Sequence, residues 1–244
     1  MSTLVRFITA SIVAVFMTSC NFDINFGPGV VGDGNVTTQT RELTADFDRI
    51  KVSRGIDVIL IQSNTESLKV EADQNLHSVI TTEFDEDKNM LRISANENIK
   101  SSSSKKVILS IKDLSSIATT SGSNVHSETG LSTDRLTISS TSGSYVDLDV
   151  DTNTLKINST SGAGVKISGT TENLNVASTS GSYIRANNLV AQTTSVSATS
   201  GASISITTKK ELKASATSGA SIKYQGNPEK VDKNSGVSGS IRKA

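Results

Sequence analysis

Tyr145 and Tyr183 stand 19 residues to either side of Gly164, and Asp147, Lys166 and Arg185 repeat that spacing two positions further along. When a chain winds into coils, a spacing this constant stacks residues in columns, each coil about 4.8 Å above the last. The two phenols then lie about 9–10 Å apart across a bare backbone. A sugar chain could stack in such a gap, with charged groups alongside for its hydroxyls. The same residues also suit a plain solvated strand face, where Asp147 and Lys166 pair across coils for less than about 1 kcal/mol.

Other candidate chemistry is thinner. Asp147, Asp149 and Asp151 alternate in VDLDVD, which puts three carboxylates on one strand face. Calcium takes about six to eight oxygens, and carboxylates on a straight strand are too far apart to converge. Asp85, Asp87 and Asn89 imitate the start of an EF-hand loop, but Met90 stands where that loop needs Gly. The two histidines, His77 and His126, sit in unrelated strand contexts. No metal, cofactor or catalytic set is expected. The rival reading is a carbohydrate-active β-helix enzyme, a polysaccharide lyase or hydrolase, working through Asp147 and Asp149 with Lys166 and Arg185. Across 244 residues, 24 Lys and Arg balance 24 Asp and Glu, so nothing favours nucleic acid.

What must position these residues is a repeat. Thr-Ser-Gly occurs six times, with its glycine at Gly122, Gly143, Gly162, Gly181, Gly201 and Gly219, and a degenerate Asn-Ser-Gly follows at Gly236. Five residues before these glycines lie Ile117, Ile138, Ile157, Val176, Val196, Ala214 and Val231. Three after lie Val125, Val146, Val165, Ile184, Ile204 and Ile222. Around the six Thr-Ser-Gly glycines, positions three before and one after hold only Ser, Ala or Thr. Alternation on both sides of each glycine predicts two short strands per coil with one face buried. The glycine supplies a corner of positive φ, and the small residues beside it imply a narrow waist. A unit this short cannot bury its own apolar face, whereas stacked units share a continuous core. The prediction is an all-β parallel β-helix or solenoid over residues 113–244. Irregular N-terminal strands, early coils and a cap occupy residues 36–112. The columns two and four positions after each glycine point outward, Tyr145 and Tyr183 among them.

The N-terminus reads as an address. Phe7–Met17 is a mostly apolar run of 11 residues, the length of a signal-peptide core and too short to cross a bilayer. Met17-Thr18-Ser19-Cys20 resembles the lipobox of bacterial lipoproteins, with Met17 where the pattern favours Leu. Cys20 is the sole cysteine, so no internal disulfide forms. The resemblance implies that residues 1–19 are a signal peptide and that Cys20 is the lipidated mature N-terminus. The protein is then anchored in the bacterial envelope, at the outer membrane. Residues 20–35, rich in glycine, read as a flexible tether. From Cys20 to Asp151 there are 12 basic and 20 acidic residues, and from Thr152 onward 11 basic and 4 acidic. The far end is basic and could meet an anionic glycan or the acidic surface of an envelope protein.

One stretch carries a wider resemblance. Phe47-Asp48-Arg49-Ile50-Lys51-Val52-Ser53, then Gly55-Ile56-Asp57-Val58, then alternating strands, then Ser-Gly coils, is similar to the auto-transporter adhesin head family with a GIN domain. The likeness runs from about Val36 to the C-terminus. It implies a right-handed β-helix in the cell envelope with an adhesive or structural role.

Overall fold

A computed structural model describes residues 29–244. The segment expected to be a signal peptide, Cys20 and the first part of the expected tether lie outside the described residues. The chain is all-β: a solenoid of about 7 turns preceded by mixed strands. Successive coils pair in parallel register, as in Val146 with Val165 and Ile157 with Val176. Each full coil is nearly one continuous strand, such as Tyr145–Ser159 or Gly164–Ser178, broken only at the Ser-Gly pair.

The break is a tight turn with both central residues left-handed. Ser161 has φ 54° and Gly162 φ 70°, and the Ala163 N–H donates to the Thr160 carbonyl at 3.2 Å. Two positive φ angles define the type I′ geometry that reverses a strand, which is why glycine recurs at the second position. The turns also stack on one another: the Gly162 N–H donates to the Ser180 carbonyl of the next coil at 3.1 Å. A Cβ on Gly162 would meet nothing within 4 Å. The glycine therefore faces open space, and the narrow waist lies beside it. Ser140, Ser144, Ser159, Ala163, Ser178 and Ser182 are all buried there. Their hydroxyls pair internally, Ser140 with Ser144 at 2.9 Å and Ser178 with Ser182 at 2.8 Å. In the next two coils the same positions are Ala198, Ala202, Ala216 and Ala220, so no hydroxyl is left unpaired there. Away from the turn the interior widens to take Val146, Leu148, Leu155 and Ile157, all buried.

The final turn departs from expectation. Gly236 stacks on Thr217, its N–H donating to the Ala216 carbonyl at 2.9 Å, and the turn itself falls on Val237 and Ser238. Val231 consequently pairs with Leu212 rather than continuing the Ala214 column, which passes to Lys233. The coil keeps its 19-residue length from Gly219 to Ser238, and the Asn-Ser-Gly triplet simply arrives two residues early.

The first coil lies further upstream than the Thr-Ser-Gly triplets suggest. Arg49–Val52 and Asp57–Gln62 flank Arg54 (φ 59°) and Gly55 (φ 70°), the same turn with arginine in the serine position. This coil pairs Ile50 with Ile117 and Val58 with Val125. Beneath it Met90–Ala95 and Lys105–Ile111 form a further parallel rung. Antiparallel strands then close this end: Ile80–Asp85 on Met90–Ala95, Ser67–Asp73 on Lys105–Ile111, and Val36–Arg41 on Ser67–Asp73. They supply the expected cap over strand edges that would otherwise stay open.

The last residues of the expected tether are tied down. Val30 pairs with Ile99, and the Gly32 N–H donates to the Ser101 carbonyl at 2.8 Å. At the centre is the buried Asp73 carboxylate, which accepts N–H groups from Gly34 at 3.0 Å, Ser103 at 3.0 Å and Ser104 at 2.9 Å. A Cβ on Gly32 would overlap this carboxylate, so glycine is what lets the strap approach. The Ser104 N–H, helped by those of Ser103 and Gly34, holds the Asp73 carboxyl below its usual range despite burial. A depressed carboxyl stabilises the fold above its unfolded value of about 3.9, and that contribution is lost as pH falls through the lowered folded value. Melting temperature should therefore decline on acidification below about pH 4. Asp73→Asn should show a shallower decline when thermal melts are followed by circular dichroism across that window.

Candidate functional site: the Tyr145–Tyr183 face

The expected columns form in register. Tyr145 pairs with Gly164 and Gly164 with Tyr183, while Asp147, Lys166 and Arg185 make the neighbouring column. The flanking Val146, Val165 and Ile184 are buried. Strand alternation thus forces the tyrosines and the charged groups outward, as their spacing predicts.

The gap between the phenols is closed. A Cβ on Gly164 would lie 2.5 Å from the Tyr183 hydroxyl oxygen, closer still to Tyr183 Cζ, and 2.9 Å from Tyr145 Cδ2. Both rings have folded down over the bare backbone of Gly164, and Gly164 itself is buried. Laying an aromatic ring on glycine removes apolar area from water that an open slot would leave exposed. The result is a half-buried aromatic patch in place of a slot.

Charged neighbours fix the rim. Lys166 Nζ donates to Asp147 Oδ2 at 2.9 Å, and this bond raises the Lys166 ammonium above its ordinary value. The Arg185 guanidinium carbon sits 4.9 Å from the Tyr183 ring centre, a cation–π distance. Burial, followed by the nearby Asp147 charge, pushes the Tyr145 phenol up, so it stays a neutral donor at physiological pH. One coil earlier, Asn124 Nδ2 donates to Asp57 Oδ1 at 2.6 Å, extending the polar rim. The arrangement offers a π surface, an amide and both signs of charge on one parallel sheet.

The other acidic residues are engaged locally. Ser168 donates to Asp149 Oδ1 at 3.2 Å and Thr170 to Asp151 Oδ1 at 2.6 Å. Each carboxylate of VDLDVD therefore meets a donor one coil on, Lys166 serving Asp147. Among the described residues no group of three or more His, Cys, Asp or Glu is placed to hold a metal ion. His77 lies in the N-terminal cap, its Nε2 2.9 Å from Thr37 Oγ1, while His126 is on Asn124–Ser127 beside Asp147. Reading the columns singled out the Tyr145 face but passed over Lys51, Arg54 and Arg92, which line one cleft together. Arginine in a turn position otherwise held by serine was the available signal.

Known proteins of this shape share the architecture. A "putative adhesin" of Bacteroides fragilis is similar at 22% identity and TM-score 0.82, covering 88% of this chain and 100% of that one. A "putative adhesin" of Parabacteroides merdae matches at 20% identity and TM-score 0.72, over 88% and 98% of the two chains. A "putative lipid binding protein" of Parabacteroides distasonis matches at 21% identity and TM-score 0.71, over 88% and 99%. At these identities the likeness speaks for the fold alone. No curated protein matches. The model of one family, "Putative auto-transporter adhesin, head GIN domain", covers residues 46–228, from the first coil through the last Thr-Ser-Gly turn, and the chain belongs to that family.

Proposed function

We propose that the protein is a cell-envelope lipoprotein, held at the outer membrane through Cys20, whose solenoid serves as an adhesive module binding glycan on the Tyr145–Gly164–Tyr183 face. The observation that carries this reading is the pair of phenols laid over Gly164 with Asp147, Lys166 and Arg185 beside them. Aromatic planes stack on the apolar face of a sugar while neighbouring charges take its hydroxyls. Membership of an adhesin family supports binding over turnover, although fold alone does not assign function. Several acyl chains, at about 0.8 kcal/mol per buried methylene, would hold the module at the membrane.

Two measurements test this. Cys20→Ala should move the protein from the membrane fraction to the soluble fraction, and continued detergent-sensitive pelleting would refute the lipid anchor. A soluble chain beginning at Gly29, so that the strap around Asp73 is kept, should be retained by some polysaccharide on a glycan array without releasing sugar. Appearance of reducing or unsaturated sugar would replace the adhesive reading with the enzymatic one.

A further inference from the structure

On the sheet face preceding the turns, away from Tyr145, the repeat is broken in three places by cations. The column Ala118, Ser139, Asn158, Ala177, Ser197 holds only small or neutral side chains, yet its two N-terminal continuations are Lys51 and Arg92. Arg54 is the third, in the turn position that the next six turns fill with serine and at the same left-handed φ. Lys51, Arg54 and Arg92 line a single cavity of about 260 Å3 together with Ser53, Ser94 and Glu83.

Such a cluster has a cost without a counter-charge. Lys51 and Arg92 are direct neighbours in parallel register, and like charges so placed repel. Arg92 is relieved by its ion pair with Asp85. Among the described residues Arg54 donates only to the Asn96 carbonyl, at 3.2 Å. Among the described residues Lys51 forms no ion pair. Two cations therefore point at one cavity with charge to spare. The opposite wall differs in kind: Glu83 faces Arg92 across the antiparallel pair, and Ser53 donates to Ser94 at 2.8 Å. The Glu83 carboxylate, which can only accept, disfavours a bare inorganic anion, whereas a carboxylate and hydroxyls together suit the hydroxyls of a sugar ring.

We propose that this cavity binds the anionic group of an acidic sugar, a sulfate, phosphate or carboxylate held by Lys51 and Arg54 while Glu83 and the serines take ring hydroxyls. The site is separate from the Tyr145 face and does not depend on it.

The repeat itself supplies the test variants. Arg54→Ser restores the residue of the other turns, and Lys51→Ala restores that of Ala118, so both should fold and melt like wild type. Full-length protein in detergent would be titrated by calorimetry with glucose 6-sulfate, glucose 6-phosphate, glucuronate, glucose and inorganic sulfate. At least one charged sugar should bind at least tenfold more tightly than glucose and than inorganic sulfate. Each variant should lose roughly tenfold of that affinity, as expected for a charge-assisted hydrogen bond. Tyr145→Ala should leave it unchanged. The proposal is overturned if no charged sugar binds, if glucose or bare sulfate binds as well, or if the folded variants bind like wild type. Loss in Tyr145→Ala alone would also overturn it, while leaving the aromatic face standing.

Discussion

Gly169→Ala should be among the most damaging single substitutions in the solenoid. Its φ is 109°, outside the regions open to alanine. A Cβ there would overlap the Val150 carbonyl oxygen of the preceding coil and lie 2.9 Å from Asp149 Oδ1. The obstacle is backbone held in the parallel ladder, so it cannot swing aside as a side chain would. Strain and overpacking together should cost at least about 3 kcal/mol, lowering the melting temperature by roughly 6–12 °C for a chain of this size. Gly162→Ala is the comparison. There φ is 70° but the added methyl points into open space, and the cost should be confined to about 1–2 kcal/mol of left-handed strain. Thermal melts of the alanine pair would separate backbone strain from steric exclusion, and equal melting temperatures would refute the distinction.

Leu155→Ala should be comparably costly for a different reason. Leu155 is fully buried in the middle of a column, with Leu136 on the coil before and Leu174 on the coil after. Removing it leaves a cavity that continuous strands cannot close, and about 2–5 kcal/mol should be lost. Each coil touches only its neighbours, so weakening a central one should also loosen coupling between the two halves. Denaturant unfolding should then broaden or resolve into two steps. A single transition with an unchanged midpoint would show that the column is not the core.

Much of this architecture is visible in the residues. The Thr-Ser-Gly period, the buried Val and Ile columns and the small-residue waist follow from turn chemistry and strand alternation, which act locally. The phase of Tyr145 and Tyr183 follows for the same reason. Elements that depend on more than the period are less legible. Arg54-Gly55 makes the same turn as the later pairs, but residues 63–113 interrupt the spacing and arginine hides the likeness. At Gly236 the triplet and the coil length disagree, and coil length prevails because ladder pairing spans the whole coil. The collapse of both rings onto Gly164 is a matter of side-chain rotamer, which periodicity does not specify. Residues 30–34 have the composition of a tether, yet Asp73, some 40 positions away in the chain, supplies the partner that orders them.

The most direct test of the glycan-binding face is affinity electrophoresis against a panel of neutral and acidic polysaccharides. It would compare wild type with Tyr145→Ala, Tyr183→Ala, Gly164→Ala and the distant control Lys223→Ala. Ring stacking worth about 1–2 kcal/mol per tyrosine predicts roughly tenfold weaker retention for each tyrosine variant, with melting temperature unchanged. Gly164→Ala should weaken retention as well by lifting both rings, and Lys223→Ala should do little. Tyrosine variants that fold normally and bind every retained polysaccharide as wild type does would contradict the account, leaving this face as ordinary solvated surface.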